Sequence, residues 1–363
     1  RPTVTGSSQA PAPTWAQVTE RLIRGEDLPE EYIREVMDRA MEGLATQAAL
    51  AGFLVALRAK GESITELRVM SERMLAHAEP FAAPELADQA LDIVGTGGDG
   101  FATVNVSTMA SVVAAGAGST VIKHGNRAAS SPAGSADVLE RLGVAVDLTA
   151  EQVAEVARRC GITFCFARTF HPAMRHVAPV RGAMGIVTAF NFLGPLTNPA
   201  QPGFSAVGVG SARMAPIMAG VFAERGRRAV VFRGDDGLDE VTPATTTSAW
   251  WVTPSGVAPV RLDPRRVGFD YRPVDELRGA DPMANADVAR SVCGGQPGPV
   301  RDAVVLNAGL ALALQTEDTE RPVDAEELHA RWADGIARAR TSIDEGRAQA
   351  TLEKWVEATQ TWS

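Results

Sequence analysis

The chain has 363 residues, of which 45% are hydrophobic and 22% are charged, as in ordinary globular proteins. Its formal net charge of −9 argues against broad binding to nucleic acid or to an anionic membrane. No apolar run approaches the roughly 20 residues that a membrane span needs. The length fits one large domain with a smaller one.

The first 14 residues are rich in Pro, Ser and Thr and lack the apolar run of a secretory signal. We therefore predict a disordered tail over residues 1–14. The chain has three cysteines, Cys160, Cys165 and Cys293, with no C-x-x-C pair. Such cysteine usage is typical of a reducing compartment, so we expect a cytoplasmic protein.

Residues 15–78 carry apolar side chains at three- and four-residue spacing in four segments, which predicts four helices. We assign them to a small helical domain over 15–82, with Thr46 and Ser63 as N-caps and Gly61 as a helix stop. A further helix is predicted within 170–184, beginning near Pro172. We expect residues 170–186 to pack on the helical domain.

After Leu91, short β-branched runs alternate with alanine-rich helical segments. This alternation predicts a large α/β domain over 83–169 and 187–363, with a central, mostly parallel sheet covered on both faces. Two extended runs around residues 254–256 predict an edge hairpin, and the end of the chain predicts two amphipathic helices. The predicted strands are LDIV, STVIKHG, VAVDL, ITFCFA, IVTAF, FSAVGVG, RRAVVFRG and AVVLNAG.

Two of these strands end in glycine-bearing polar loops, and each loop leads into a helix. The first loop is GTGGDG at 95–100, and the second begins with KHGNR at 123–127. Backbone N–H groups in such loops favour anions, and Lys123 and Arg127 add positive charge. The letters of the first loop match the dinucleotide-binding motif G-x-G-x-x-G. However, no helix opens directly after this loop, and the acidic residue expected about 20 residues later is absent. No P-loop motif occurs either. These loops predict a cradle for a phosphorylated ligand.

A second cluster is acidic: Asp235, Asp236, Asp239 and Glu240 follow the strand AVVFRG. Carboxylates this close repel one another unless a cation is present. Taken alone, the cluster is typical of a solvated loop. Beside an anion cradle it indicates Mg²⁺, which binds one or two carboxylates together with phosphate oxygens.

Arg181 is a candidate partner for a small anionic acceptor, because a guanidinium binds a carboxylate through two parallel hydrogen bonds. Arg175, His171 and His176 lie near it in the sequence, and His124 either bonds a ligand or caps a helix. No nucleophile–base motif is present. The residues therefore indicate direct displacement, with a metal and backbone dipoles stabilising the leaving group.

Seven stretches, in this order, resemble the anthranilate phosphoribosyltransferase family, and the resemblance covers nearly the whole chain after the tail. They are GTGGD at 95–99, NVST at 105–108, KHGNRAASS at 123–131, GSADVLERLG at 134–143, FHPAMR at 170–175, FNFLGPLTNPA at 190–200 and GLDE at 237–240. Two departures are mild: Arg175 stands where lysine is common, and Pro132 where a longer polar side chain is common.

The resemblance implies the fold class shared with pyrimidine nucleoside phosphorylases. It implies 5-phosphoribosyl 1-diphosphate and anthranilate as substrates in L-tryptophan biosynthesis, two Mg²⁺ ions as cofactor, and a homodimer formed through the helical domain. The transition state resembles an oxocarbenium ion, as in other substitutions at an anomeric carbon.

The resemblance also assigns site residues. Ser107, Asp239 and Glu240 would bind Mg²⁺; Gly95, Asn126 and Arg181 would bind anthranilate. Lys123 and Arg181 would act electrostatically. Phosphoribosyl diphosphate would be held by Gly95, Gly98, Asp99, Thr103, Asn105, Val106, Ser107, Thr108, Lys123, His124, Gly125, Asn126, Arg127, Ala128, Ala129, Ser130, Ser131 and Ser135.

Two other functions remain open from the sequence. A pyrimidine nucleoside phosphorylase of the same fold would bind inorganic phosphate and a nucleoside, and would not need the GLDE acids or Arg181. A non-catalytic relative that binds nucleic acid would show a strongly basic face. The net charge and the intact acids favour the transferase, with no nucleic-acid or membrane partner.

Overall fold

The computed structural model describes residues 11–129, 131–316 and 323–362. Most of the predicted tail, residues 1–10, lies outside the described residues, as does Ser130. The hydroxyl of Thr14 accepts a hydrogen bond from the backbone N–H of Gln17 and so caps the first helix. Thr14, the last residue of the segment that we predicted to be a tail, is therefore part of the helical unit.

Four helices form the N-terminal unit, as the apolar spacing predicts: α1 (Trp15–Ile23), α2 (Glu30–Met41), α3 (Gln47–Lys60) and α4 (Ile64–Ala76). Thr46 and Ser63 are the N-caps of α3 and α4. The helix α3 ends at Gly61, whose φ of 93° is readily adopted only by glycine.

A seven-stranded sheet lies at the centre of the α/β part, in the order β3-β2-β1-β4-β5-β6-β7. The first five strands in this order are parallel, and β6 and β7 form the antiparallel edge hairpin that the sequence predicts. The strands are β1 (Leu91–Gly95), β2 (Val121–Gly125), β3 (Ile162–Phe166), β4 (Phe204–Gly208), β5 (Arg228–Gly234), β6 (Thr247–Thr253) and β7 (Gly256–Leu262).

The strand order reverses beside β1, so the loops that follow β1 and β4 turn to opposite sides. In open α/β sheets a ligand crevice forms at this point, outside the carboxyl ends of the strands. The helices of this part are α5 (Val106–Gly116), α6 (Ser135–Leu142), α7 (Ala150–Cys160), α8 (Ala167–Phe170), α9 (Ala178–Met184), α10 (Phe190–Leu193), α11 (Met214–Glu224), α12 (Pro282–Cys293), α13 (Pro299–Leu314), α14 (Ala325–Asp344) and α15 (Arg347–Gln360).

Each face of the sheet has its own apolar core. Ile93 and Ile122 belong to the core that contains the buried residues of α5, α13 and α14. Val207 and Val231 belong to the other core, which contains α11 and all four helices of the N-terminal unit. The sheet is therefore covered on both faces, as predicted. No helix in the described part of the chain is both long enough and apolar enough to cross a membrane.

Three predicted strands are wrong. The side chains of residues 144–148 are alternately buried and more exposed, but these residues form no strand. Residues 186–189 form a loop that leads into α10, and 303–309 lie inside α13. The last error has a clear cause: nearly all of α13 is buried, so its apolar run has no amphipathic period to distinguish a helix from a strand.

The predicted helix within 170–184 is three short pieces: α8, a 3₁₀ turn at Pro172–His176, and α9. Pro172 and Pro179 lack the N–H that a continuous helix needs, and each lies in the first turn of a new piece. Val177 and Val180 are buried in the core that contains the N-terminal helices. The exact domain boundaries stay a prediction.

Candidate active site

A cleft of about 1400 Å³ lies at the carboxyl edge of the sheet, between the α/β part and the N-terminal unit. Most of the predicted site residues line it. Val106 and Thr108 do not, because both are buried within α5. The predicted residues that line the cleft are Gly95, Gly98, Asp99, Thr103, Asn105, Ser107, Lys123, His124, Gly125, Asn126, Arg127, Ala128, Ala129, Ser131, Ser135, Arg181, Asp239 and Glu240.

The loop after β1 owes its shape to glycines. Gly97, Gly98 and Gly100 have φ values of 69°, 76° and 79°, a region that side chains disfavour. Ala102 follows at a φ of 50°, and its carbonyl accepts a hydrogen bond from the N–H of Gly279 at 2.8 Å. A non-glycine residue held in this conformation is strained, and such strain gathers at functional sites.

Two facing glycines let the acidic loop cross the ends of β1 and β4. Gly95 lies opposite Gly208 in the register of these strands. A Cβ on Gly95 would lie 2.5 Å from the carboxylate oxygen Oδ2 of Asp239, and a Cβ on Gly208 would overlap the backbone of Asp239. Gly208 was not among the predicted site residues. Its position at a strand end is the only feature of the sequence that distinguishes it.

The N-terminus of α5 is open to an anion. The side chain of Asn105, the N-cap, makes no capping hydrogen bond, and its Nδ2 instead donates to the carbonyl of Ala133 at 3.1 Å. The first N–H groups of a helix have no partner within the helix, and the helix dipole favours negative charge there. A phosphate group therefore fits this position.

The loop after β2 folds onto the start of α6. The carboxylate of Asp137 accepts the N–H groups of Ala128 and Gly134 at 3.0 and 2.9 Å. Arg127 forms ion pairs with Asp137 at 3.2 Å and with Glu140 at 2.7 Å. The positive charge predicted for this loop at Arg127 is therefore paired with two carboxylates.

The ammonium of Lys123 lies beneath both loops. Its Nζ donates to the carbonyl of Ile93 at 2.5 Å and to the hydroxyl of Ser107 at 3.1 Å. The side chain is almost fully buried, and burial lowers the pKa of Lys123 against the opposing effects of Asp92 and Glu240. Lys123 therefore joins the end of β1 to the first turn of α5, close to the predicted phosphate positions.

The acidic stretch divides into two pairs. Asp235 and Asp236 do not line the cleft, and they accept hydrogen bonds from the hydroxyls of Ser248 and Thr242. Asp239 and Glu240 do line it, each only 8% exposed.

Burial raises the pKa of both Asp239 and Glu240. The nearby carboxylate of Asp99 raises the pKa of Asp239 further, and Asp239 does the same to Glu240. A bound cation would offset the repulsion between two desolvated carboxylates that lie this close. The carboxylate oxygens of Asp239 and Glu240 therefore suit Mg²⁺. Among the described residues no three His, Cys, Asp or Glu side chains form a metal-binding group. Water and substrate oxygens would have to complete the coordination.

Two histidines line the cleft in neutral form. His124 Nδ1 bonds to the carbonyl of Gly194, and His171 Nε2 to that of Thr197, each at 2.9 Å. Burial lowers the pKa of His124 to about 3 and that of His171 to about 4. His124 thus binds the carbonyl of Gly194, the C-cap residue of α10, in the segment before β4.

Arg181, the predicted partner of the acceptor's carboxylate, lies in α9. It is half-buried, and burial lowers its pKa. It has no ion-pair partner in the described part of the chain, and its guanidinium carbon lies 5.8 Å from the ring centre of Phe190. Arg175, by contrast, donates to the carbonyl of Pro172. A half-buried cation beside an aromatic ring is suited to an aromatic carboxylate.

Comparison with known proteins agrees with this geometry. Residues 87–349 match the glycosyl transferase family a/b domain, and residues 16–78 match the helical bundle domain of the same family. The anthranilate phosphoribosyltransferase of Arthrobacter sp. (strain FB24) is 52% identical over 354 residues, which cover 98% of each chain.

Solved structures agree as well. Anthranilate phosphoribosyltransferase from Thermus thermophilus superposes with a TM-score of 0.84 at 40% identity, over 94% of this chain and 99% of that one. The enzyme from Saccharomyces cerevisiae, in complex with PRPP and Mg, gives 0.81 at 26% identity over 96% and 98%. A further structure of the yeast enzyme contains 4-fluoroanthranilate. The chain belongs to the anthranilate phosphoribosyltransferases of this glycosyl transferase family.

Proposed function

We propose that the protein transfers the phosphoribosyl group of 5-phosphoribosyl 1-diphosphate to the amine of anthranilate, releasing diphosphate, in L-tryptophan biosynthesis. The observation that carries this proposal is the meeting, in one cleft, of an open helix N-terminus, two buried carboxylates, and an arginine, Arg181, that forms no ion pair with any described residue. The relatives named for this activity, and the yeast enzyme that holds PRPP and Mg, support it.

The phosphates of the donor bind to the glycine loop after β1, the first turn of α5 and the loop after β2. Lys123 lies beside this position and stabilises the negative charge that develops on the departing diphosphate. Ser107, Asp239 and Glu240 hold Mg²⁺, and we propose two ions. Bound Mg²⁺ supplies positive charge to the diphosphate.

The carboxylate of anthranilate binds Arg181, and its ring and amine lie near Gly95 and Asn126. The amine then attacks C1 of the ribose as the bond to diphosphate breaks. The sequence contains no nucleophile–base motif, so much of the rate comes from holding amine and donor in line while water is excluded.

The direct test mixes the protein with anthranilate, phosphoribosyl diphosphate and Mg²⁺ and follows the fluorescence of anthranilate. Loss of fluorescence that requires the protein and stops on addition of EDTA is expected. A folded protein that leaves the fluorescence unchanged would contradict the proposal, and phosphorolysis of pyrimidine nucleosides would then be measured.

Replacing Arg181 tests the acceptor site. Arg181→Ala removes the only half-buried cation assigned to the carboxylate, so we expect KM for anthranilate to rise by about tenfold or more. The KM for the phosphoribosyl donor should stay within about twofold of its original value. Arg158→Ala, which removes a surface arginine paired with Glu85, is the matched control. An equal rise in both KM values would mean that Arg181 acts structurally.

Replacing the cleft acids tests the metal site. The double variant Asp239→Asn with Glu240→Gln removes both charges and keeps their shapes, so we expect Mg²⁺-dependent turnover to be abolished. Asp235→Asn, an acid of the same stretch outside the cleft, should keep its Mg²⁺ dependence. A double variant with unaltered Mg²⁺ dependence would disprove the metal assignment.

We further propose a cytoplasmic homodimer that forms through the N-terminal unit. Ile23, Leu44 and Val55 are apolar side chains of this unit that are 66%, 68% and 47% exposed. Burying them against a second copy would remove apolar surface from water. We expect light scattering on a sizing column to give twice the chain mass, and Val55→Glu to lower it. A monomer at micromolar concentration would contradict the dimer.

A further inference from the structure

The strands β1 and β2 carry the two phosphate-facing loops, yet they pair along only a small part of their length. Among the described residues, β1 and β2 pair at a single position, where Leu91 lies opposite Val121. By contrast, β1 pairs with β4 and β2 pairs with β3 at five positions each. The seam between β1 and β2 is therefore open towards the carboxyl ends, beneath the cleft.

Side chains bridge this open seam where ladder hydrogen bonds are missing. The carbonyl of Ile93 accepts the ammonium of Lys123 at 2.5 Å. The N–H of His124 donates to Oδ1 of Asp92 at 3.3 Å, and the carbonyl of Ile122 accepts Nδ2 of Asn198 at 2.8 Å. Buried backbone groups that lose their strand partners need such substitutes.

Asp92 and Asn198 form the centre of this bridge. Nδ2 of Asn198 donates to Oδ2 of Asp92 at 2.9 Å, and both side chains are buried. Burial raises the pKa of Asp92 to about 6, against the opposing effect of Lys123. Oδ1 of Asn198 accepts the N–H of Ala200, which fixes the segment before β4 as well.

That segment reaches the other side of the cleft. It includes Gly194 and Thr197, whose carbonyls bind His124 and His171. Its neighbours Phe190 and Leu193 are buried in the core shared with the N-terminal unit. The bridge therefore connects the two phosphate-facing loops to the part of the chain that approaches the acceptor site.

We propose that Asp92 and Asn198 are positioning residues for phosphoribosyl transfer, which bridge the open seam between β1 and β2 and so set the spacing of the two loops and the place of Lys123. Neither residue lines the cleft, so each acts through the groups that it holds. This inference rests on the proposed function, because phosphoribosyl diphosphate is the ligand whose binding the two residues are expected to support.

The test uses Asp92→Asn and Asn198→Ala. Each substitution weakens the hydrogen bonding between residues 92 and 198, so the bridge no longer fixes the spacing of the two loops. We expect the Kd for phosphoribosyl diphosphate with Mg²⁺, measured by calorimetry, and the KM for this donor to rise by about tenfold or more. The KM for anthranilate should rise much less than that for the donor, because Arg181, the proposed partner of its carboxylate, lies on a different segment.

Exchanging the two residues provides a rescue. In the variant Asp92→Asn with Asn198→Asp, an amide again faces a carboxylate across the seam, with donor and acceptor exchanged. The donor Kd should recover part of its loss relative to the single variants. Thr163→Val is the matched control, because it removes a buried hydrogen bond from β3 to the carbonyl of Val153. It should lower thermal stability without changing the donor Kd.

A single variant that folds and keeps the original donor Kd and KM would overturn the proposal. Equal changes in both KM values, or a donor Kd altered as much by Thr163→Val, would show a general structural role and would overturn it too. Failure of the proposed function is distinguishable, because the unsubstituted protein would then show no loss of anthranilate fluorescence, whereas calorimetry would still compare the donor Kd of the variants.

Discussion

The arrangement of the cleft depends on buried charge at the carboxyl edge of the sheet. Asp239 and Glu240 have little access to water, Asp99 lies close to them and is partly buried, and Lys123 is the buried cation nearby. Charges placed in this way are costly unless a counter-ion joins them. The site is thus prepared for a cation and a polyanion arriving together, as Mg²⁺ and a diphosphate do, and the two facing glycines at the ends of β1 and β4 make room for the acids.

The proposed positions of the donor phosphates and of the acceptor's carboxylate lie on different parts of the chain. The loops after β1 and β2 belong to the sheet, whereas Arg181 lies on a segment buried in the core shared with the N-terminal helices. Polar contacts join the N-terminal unit to the α/β part, including an ion pair of Arg68 with Glu224 at 2.7 Å. Because displacement at C1 requires amine and leaving group in line, the relative placement of these parts bears directly on the rate.

The sequence predicted the elements that have strong local patterns. The N-terminal helices, their caps at Thr46 and Ser63, and the edge hairpin are as expected, because amphipathic spacing and turn residues are local. Residues 303–309 of α13 were predicted to be a strand, because the apolar residues of this nearly fully buried helix show no amphipathic period. For the site, loops rich in glycine and charge stand out in a sequence, and most of their residues line one cleft. Asp92 and Asn198 were missed, although a charge within the apolar run LDIV was a visible clue; their bonds join segments 106 residues apart.

Calorimetric titration of Mg²⁺, with and without phosphoribosyl diphosphate, tests the central claim most directly. If the cleft acids bind the metal only as part of a complex with the diphosphate, Mg²⁺ alone binds weakly. Its affinity then rises with the donor present, and by linkage Mg²⁺ raises the affinity for the donor by the same factor. Tight binding of Mg²⁺ without the donor, or donor binding that is indifferent to Mg²⁺, would contradict the account.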